Sequence, residues 1–335
     1  MHIPENYLSP STCAVLGAAM LPVWLMAVKK VRQEVPPEKM PLLGIGAALS
    51  FLSMMFNIPL PGGTTGHAVG GTLLAVLFGP WSACLAVSLA LFVQALFFGD
   101  GGILAFGANC FNMAFAMPFA GYAIYKGVLR AFPQRQLLAA GLGSYVGINL
   151  AAFFAAIEFG IQPLLFMDGA GHALYAPYPL WVSIPAMMIG HLTIFGLAEV
   201  IFTTAVLGYL QKAAPQLAQG KAEKASPAVY GLLALLICGT PLGLLATGTA
   251  WGEWDAEELA EQDYLGSALG YVPSGMEDGF SFAALFPDYA IEGMPEIFGY
   301  ILSAVIGTAL LVLLFKLVAS FIGHKTNYDA PAHES

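Results

Sequence analysis

The chain is a succession of long apolar runs separated by short polar or glycine- and proline-rich segments. Most runs approach the ~20 residues that a helix needs to cross ~30 Å of hydrocarbon, so the pattern predicts an all-α integral membrane protein. The third run is too short to cross and follows a break rich in glycine and threonine. The predicted helices occupy about residues 11–28, 41–57, 67–79, 81–98, 103–129, 136–160, 181–210, 228–249 and 297–322.

Composition supports the same fold class. Hydrophobic residues make up 58% of the 335 positions and charged residues 10%, and the mean hydropathy is +0.74. A multi-span membrane protein has this composition, whereas a soluble domain with a single core does not. The four cysteines lie singly within apolar runs, so we expect small buried residues and no thiolate metal centre.

Basic residues orient the predicted helices. With the N-terminus outside and nine crossings, all 12 Lys and Arg residues fall on the inner side, in agreement with the positive-inside rule. The pattern predicts a seven-span bundle in residues 1–212, a cytoplasmic linker at 213–227 and a two-span hairpin at 228–325. We expect a multi-pass protein of the bacterial cytoplasmic membrane, with its N-terminus extracytoplasmic and its C-terminus cytoplasmic.

Acidic residues concentrate in a loop at 250–296, on the outer side of the predicted membrane. Between Glu253 and Glu296 lie eleven of the 21 carboxylates of the chain and no Lys or Arg. Two interpretations remain open at this point. The loop could be a solvated surface segment, or it could concentrate cations and dock over the mouth of a binding site.

The candidate chemistry begins at the N-terminus, Met1-His2-Ile3-Pro4. The Met1 amine, the backbone nitrogen of His2 and the His2 imidazole can hold one metal ion through adjoining five- and six-membered chelate rings. His67, in the glycine- and threonine-rich break, is the fourth candidate nitrogen; taken alone it would be interpreted as a hydrogen-bonded core histidine. Four nitrogens in a plane suit Ni²⁺, Cu²⁺ or low-spin Co²⁺ and suit tetrahedral Zn²⁺ poorly. We therefore predict a metal site at Met1, His2 and His67.

Other polar residues within or beside the apolar runs are candidates for holding the histidines or for lining a transit path. Asn109 and Asn112 share one helical face and could hold the loop that bears His67 or bind its second ring nitrogen. Hydrogen bonds between helices are the alternative. His191 lies near the middle of its predicted span, where ionisable groups often mark ion paths. The complete set is Asn57, Thr64, Thr65, Asn109, Asn112 and His191.

Three carboxylates outside the acidic loop also lie near the predicted path. Asp100, in a glycine-rich loop, and Glu158, near the outer end of its predicted span, could guide cations, and plain solvation is the alternative for both. Glu199 lies about two helical turns beyond His191.

The sequence contains no Walker-type phosphate loop and no GxSxG or HExxH motif. We therefore expect no enzymatic activity in this chain, no organic cofactor and no nucleic-acid partner. An ATP-driven process would need separate ATPase subunits.

These features together resemble a known family. The start Met1-His2-Ile3-Pro4, the run from Pro61 to His67 and the seven-span layout are similar to the substrate-capture component, of CbiM or NikM type, of nickel/cobalt energy-coupling factor (ECF) transporters. The resemblance covers roughly residues 1–212. It implies a square-planar site formed by the Met1 amine, the His2 amide and imidazole, and the His67 imidazole.

Residues 228–325 resemble the two-span accessory subunit of the same systems, of NikN or CbiN type, and Pro287-Asp288-Tyr289 is similar to its Pro-Asp motif. The resemblance implies uptake of Ni²⁺ or Co²⁺ together with a transmembrane coupling protein and two ATPase subunits. One departure is Glu5-Asn6-Tyr7, where many members have glycine in the middle position. We expect this departure to affect the packing of the segment and not the chelate.

Three functions can be compared on this basis. The first is high-affinity metal uptake through an ECF complex, with Ni²⁺ favoured by the planar nitrogen set and by the fused hairpin, and with Co²⁺ uptake for cobalamin synthesis as the alternative. The second is a membrane metalloenzyme or redox protein, which would need an open coordination position beside an acid–base pair, or paired haem histidines. The third is a structural or sensory protein that merely binds metal at its terminus.

Overall fold

The computed structural model describes residues 1–60, 64–222, 224–246, 249–261 and 268–328, and of 321–328 only the main chain. Residues 61–63 of the glycine- and threonine-rich break therefore lie outside the described residues, as do short parts of the predicted linker and acidic loop.

The described chain is predominantly helical, and each of the nine predicted apolar runs forms a helix over most of its length. Ser9 caps the first helix by accepting the N–H of Thr12, and Pro10 fits its first turn. The predicted all-α class is confirmed. The helices are α1 Pro10–Glu34, α2 Met40–Met54, α3 Gly71–Phe78, α4 Pro80–Val93, α5 Phe106–Asn109, α6 Met117–Ala131, α7 Gln136–Gly160, α8 Gln162–Leu165, α9 Leu180–Gly190, α10 Gly196–Ala213, α11 Pro215–Ala218, α12 Pro227–Gly239, α13 Ala256–Glu261, α14 Ser274–Glu277 and α15 Glu296–Tyr328.

Short π-helical and 3₁₀-helical segments lie between or at the ends of these α-helices. π-Helical segments extend α4, join α5 to α6 and join α9 to α10, and such segments occur frequently at functional sites. The π-helical segments are Gln94–Phe98, Cys110–Ala116 and His191–Phe195, and the 3₁₀ segments are Pro37–Lys39, Thr240–Leu245 and Pro287–Tyr289.

Several helices are long enough to cross a membrane. Among the described residues, 6 helical segments have the length and apolar composition required. By contrast, α2 has 15 residues and α3 has 8, fewer than the ~20 needed for a complete crossing. The chain is therefore a multi-pass membrane protein, and the count of seven spans plus two stays a prediction. The 6 segments are Pro10–Glu34, Pro80–Phe98, Gln136–Leu165, Leu180–Ala213, Pro227–Leu245 and Glu296–Ser320.

The break before α3 places His67 in non-helical backbone. Two short strands, β1 Ile58–Pro59 and β2 Thr65–Gly66, pair in antiparallel fashion within the break. The chain then enters α3 through Gly70, whose φ of 73° carries no steric penalty for glycine. His67 thus lies between a strand and a helix start, where both neighbouring elements restrict its backbone.

The C-terminal hairpin packs against α2. α15 lies along α2, and Gly307 permits the close approach because a Cβ atom there would overlap the ring of Phe51. Tyr300 of α15 donates its hydroxyl to the carbonyl of Met55 at 2.9 Å. The hairpin therefore contacts the end of α2 that leads into the break.

Candidate metal site

The first residues form a buried arm that enters the helical bundle. Met1, His2 and Ile3 are all buried. The side-chain oxygen of Asn109 accepts the N–H of Ile3 at 2.8 Å, and its amide group donates to the Ile3 carbonyl at 3.0 Å. Gly102 donates its N–H to the same carbonyl at 2.9 Å. Because His2 immediately precedes Ile3, these bonds fix the backbone on which the His2 imidazole is carried.

Glu5 and Asn6 hold the next part of the arm. The Glu5 carboxylate accepts the N–H groups of Ile103 at 2.6 Å and Leu104 at 3.1 Å; burial raises the pKa of Glu5, while these two bonds lower it. Asn6 has a φ of 64°, which asparagine tolerates better than most residues. Its side chain donates to the carbonyl of Phe280 at 2.9 Å and accepts the Phe280 N–H at 3.0 Å. Asparagine thus replaces glycine here while adding contacts to the acidic loop.

His2 and His67, both buried, meet between the arm and the break. Nδ1 of His2 lies 3.2 Å from Nε2 of His67. Metal–nitrogen bonds of about 2.0 Å place neighbouring nitrogens of a square plane about 2.8 Å apart, so a small movement would let both rings bind one ion. No group of three or more His, Cys, Asp or Glu side chains with metal-binding geometry occurs in the part of the chain that the structure describes. A metal held here would therefore need main-chain nitrogens as well.

The hydrogen bonding of His67 leaves its Nε2 atom free to bind a metal. Nδ1 of His67 lies 3.2 Å from the carbonyl oxygen of Ala68. Because that oxygen can only accept, Nδ1 carries the ring proton and Nε2 presents its lone pair towards His2. Burial, and after it the charge that His2 would carry when protonated, lowers the pKa of His67 well below its usual range. His67 is therefore a neutral imidazole at physiological pH.

Two carboxylates hold nitrogens that the sequence analysis assigns to the metal. Oε1 of Glu253 accepts the Met1 amine at 3.0 Å. Oδ1 of Asp100 lies 3.1 Å from Nδ1 of His2, so this nitrogen carries a hydrogen directed at an acceptor. Nε2 of His2 is buried without a hydrogen-bond partner among the described residues. Metal capture at these nitrogens would replace the hydrogens that the carboxylates hold.

The loop between α12 and α15 docks over the arm and the break. Trp251 donates its N–H to Oγ1 of Thr64 at 2.7 Å. Tyr7 of the arm donates its hydroxyl to the carbonyl of Trp254 at 2.6 Å. Together with the Glu253 and Phe280 contacts, these bonds favour the docked interpretation of the acidic loop over the solvated one.

Glu199 of α10 supports the main chain beside His67. Its carboxylate accepts the N–H groups of Val69 at 2.7 Å and Gly70 at 3.1 Å, and the side chain is fully buried. Main-chain N–H groups at the start of a helix stabilise a negative charge, and α3 begins at the next residue. The sequence indicates only the depth of Glu199 in its helix, because a contact across 129 residues leaves no local pattern.

Among the described contacts, the two asparagines bind other partners than the loop that bears His67. Asn109 binds the arm at Ile3, and Asn112 donates to the Glu158 carboxylate at 2.7 Å. The second ring nitrogen of His67 has a main-chain partner instead, because a neighbouring carbonyl lies within reach of the ring. Glu158 is itself buried and does not present its charge to cations at an outer surface.

The remaining secondary candidates lie around the break. Thr65 is buried in β2, and Asn57 is half-buried after the end of α2; neither side chain forms a hydrogen bond with His2 or His67 in the described contacts. His191 is buried with Nδ1 2.8 Å from the carbonyl of Met187, and its ring packs on Phe195. A Cβ on Gly66 would meet that Phe195 ring, so His191 lies close to the break without touching His2 or His67 in the described contacts.

Comparison with known proteins assigns the family. Residues 2–217 match the family model described as cobalt uptake substrate-specific transmembrane region (CbiM), and residues 225–324 match the PDGLE domain. The probable fused nickel transport protein LarMN of Lactiplantibacillus plantarum is 51% identical over 330 residues, covering 98% of this chain and 99% of that protein. The fused nickel transport protein NikMN of Rhodobacter capsulatus is 47% identical over 332 residues, covering 93% of this chain and 95% of that protein.

A solved structure shows the same fold over part of the chain. The crystal structure of a truncated transition metal transporter is 55% identical, with a TM-score of 0.61, and the match covers 63% of this chain and 99% of that one. Both the family model and the full-length relatives cover the arm, the break and most of the helices described above. The chain therefore belongs to the CbiM family of cobalt uptake substrate-specific transmembrane regions, fused to a PDGLE domain.

Proposed function

We propose that this chain captures Ni²⁺ at the outer face of the bacterial cytoplasmic membrane and passes it inward as the substrate-specific component of an ATP-driven ECF transporter. The Met1 amine, the His2 backbone nitrogen, Nδ1 of His2 and Nε2 of His67 bind the ion in one plane. A transmembrane coupling protein and two ATPase subunits supply the energy, since this sequence has no ATP-binding motif.

The observation that best supports this proposal is the short distance between the imidazole rings of His2 and His67. Their facing nitrogens are buried and lie 3.2 Å apart, although 65 residues separate them in the chain. The Met1 amine precedes His2 directly and is buried with it. Capture would remove hydrogens from the amine, from the His2 main chain and from Nδ1 of His2, and Glu253 and Asp100 already face two of these positions.

Nickel is the favoured substrate for two reasons. A planar set of four nitrogens suits Ni²⁺, which also binds a given site more tightly than Co²⁺. The two full-length relatives are named as nickel transport proteins. Cobalt is the second candidate, because the matching family is described by cobalt uptake. Competition between the two ions for the purified protein, followed by metal analysis, decides between them.

The decisive experiment alters the N-terminus alone. One residue added before Met1 converts the amine into an amide and should weaken Ni²⁺ binding more than about 100-fold, beyond what loss of an outer partner costs. His67→Ala should have a comparable effect because it removes one of four ligands. His172→Ala is the matched control: His172 is exposed and pairs with Asp168, so its loss should leave the affinity unchanged.

Wild-type affinity in the extended protein would contradict the proposal. A haem-like visible spectrum of the purified protein would favour a redox protein instead. Equal metal accumulation in cells with and without the ATPase subunits would favour a protein that only binds metal. These measurements use a tag at the C-terminus, so that Met1 remains free.

A further inference from the structure

An apolar crevice runs between α10 and α12. Both helices belong to segments that are long and apolar enough to cross a membrane, and a cavity of about 610 Å³ lies between them. Its lining along α10 extends from Ala198 to Tyr209. At one end, Tyr209 donates its hydroxyl to the carbonyl of Ala228 in α12 at 3.1 Å. The crevice therefore follows most of α10, on the side that faces the C-terminal hairpin.

The lining of the crevice favours hydrocarbon over water. Among the described residues that line it, only Ser53 and Tyr209 carry a polar side-chain group. Both hydroxyls already donate to main-chain carbonyls, whereas a buried water needs about 2–4 polar partners. Ile201 and Leu235 expose most of their side chains in this region. Because the crevice lies between two spanning segments, its occupant must be an acyl chain or another protein.

The dimensions of the crevice fit an acyl chain better than a helix. From Ala198 to Tyr209, α10 rises about 17 Å. A volume of about 610 Å³ spread over that length gives a mean cross-section of about 36 Å². A helix about 10 Å across needs about 80 Å², whereas hydrocarbon chains packed with carbon atoms about 4 Å apart need only about 20 Å² each. The crevice therefore holds one or two acyl chains and is too narrow for a helix.

A second cavity, of about 240 Å³, adjoins the end of the crevice at Tyr209 and carries basic residues. It begins at Ala213, one helical turn beyond Tyr209, and its lining includes Lys224 and Ser226. The Ser226 hydroxyl is buried without a hydrogen-bond partner among the described residues, so it can donate to a phosphate oxygen after rotation of its side chain. Lys212 lies in the last turn of α10, and no carboxylate is among the described residues that line this cavity. Basic pockets between spanning helices bind the headgroups of anionic lipids.

We propose that the crevice and the basic cavity together bind one anionic phospholipid. An acyl chain lies between α10 and α12, and the phosphate group contacts Lys224 and Ser226. The charge of Lys212 and Lys224 selects an anionic headgroup over a zwitterionic one. The lipid contacts residues 1–212 and the hairpin at once, so it fastens α12 to α10. Because neither space is lined by Met1, His2 or His67, the inference is independent of the proposed metal ligands.

The first test concerns the headgroup. Phosphatidylglycerol and phosphatidylcholine with identical acyl chains are titrated onto the purified full-length protein in detergent, and bound lipid is counted by native mass spectrometry. One phosphatidylglycerol should bind more tightly than phosphatidylcholine and raise the Tm. Lys224→Gln should weaken phosphatidylglycerol binding about fivefold, the effect of one basic residue at an anionic lipid. Lys126→Gln is the matched control, because Lys126 is also exposed but lies in α6 and lines neither space.

The second test fills the crevice. Gly231 of α12 lines it, and a Cβ atom there meets nothing within 4 Å, so Gly231→Trp adds an indole ring to the crevice without displacing a neighbour. This variant should bind phosphatidylglycerol at least tenfold more weakly. Gly127→Trp in α6 is the control, since a Cβ at Gly127 is equally unobstructed and lies outside the crevice.

Four results would overturn the inference. They are equal affinities for the two lipids, wild-type affinity in Lys224→Gln, wild-type affinity in Gly231→Trp, and an equal loss in Gly127→Trp. Inorganic phosphate distinguishes a lipid from a free anion. It should leave the Tm unchanged, and an increase equal to that caused by phosphatidylglycerol would assign the basic cavity to free phosphate instead.

Discussion

At the scale of single residues, two carboxylates, one buried and one partly exposed, set the geometry around the two histidines. Glu199 binds the main chain that follows His67, while Asp100 binds the His2 ring. One carboxylate therefore fixes the backbone of a proposed ligand and the other fixes a side chain. Substitutions that keep the volume and remove only the charge can distinguish these contributions.

Glu199→Gln should weaken Ni²⁺ binding about tenfold, as for other partners behind a metal-bound histidine. The amide oxygen of glutamine can still accept the N–H groups of Val69 and Gly70, but the second acceptor oxygen is replaced by an NH₂ group, which cannot accept the Gly70 N–H, so the main chain is held less firmly. Glu158→Gln is the matched control, because Glu158 is also buried in a helix but binds Asn112. Isothermal titration of both variants checks the prediction. Equal affinities would show that the contact of Glu199 is not needed to place His67.

The dependence of affinity on pH reports which nitrogens bind. Metal capture releases protons from the Met1 amine and the His2 main chain. Burial lowers the pKa of His67 well below its usual range, so His67 contributes little to this proton release. We expect Ni²⁺ affinity to fall tenfold or more per pH unit between about pH 8 and about pH 6. Competition titrations across this range measure it, and a flat profile would indicate binding without main-chain nitrogen.

At the scale of helices and strands, close packing of α15 on α2 joins the hairpin to the rest of the chain. Gly307→Ala should destabilise the protein by about 1–3 kcal/mol, because the added methyl group would overlap the ring of Phe51. Gly231→Ala in α12 is the control: a Cβ there meets nothing within 4 Å, so helix propensity predicts stabilisation of up to about 1 kcal/mol. Thermal unfolding in detergent measures both. A neutral Gly307→Ala would show that the two helices separate easily.

The helices were predictable because each apolar run carries its own local signal, as at Pro10 and Pro80, which begin α1 and α4. His2 and His67 were also predictable as a pair, since the chelate at the terminus requires a fourth donor. The residues that bind these histidines and their backbone could not be predicted. Glu253 is one of many carboxylates in its loop, and Glu199 reaches its partners from a helix far along the chain. Such contacts depend on helix packing, which a single sequence does not record.

At the scale of the whole molecule, residues 1–212 and the hairpin meet at the proposed metal site. Deleting residues from about 225 onward should leave the remainder folded and able to bind Ni²⁺, because the proposed ligands all precede residue 70. Removal of Glu253 and Tyr289 should nevertheless reduce uptake by cells, since the hairpin holds the Met1 amine and Asp100. Binding and uptake are measured on the same truncated protein with its native N-terminus. Uptake at the full rate would contradict the contribution of the hairpin.

The attachment of Glu199 to the break also has a mechanical consequence. α10 continues from Glu199 to Ala213, a distance of about 21 Å at about 1.5 Å per residue. A tilt of about 5° around the Ala213 end would therefore move Glu199 by about 2 Å. Because the Glu199 carboxylate accepts two successive N–H groups, the main chain beside His67 would move with it. A tilt of α10 would therefore displace His67 relative to His2. His2 would stay in place, because Asn109 binds the arm that carries it.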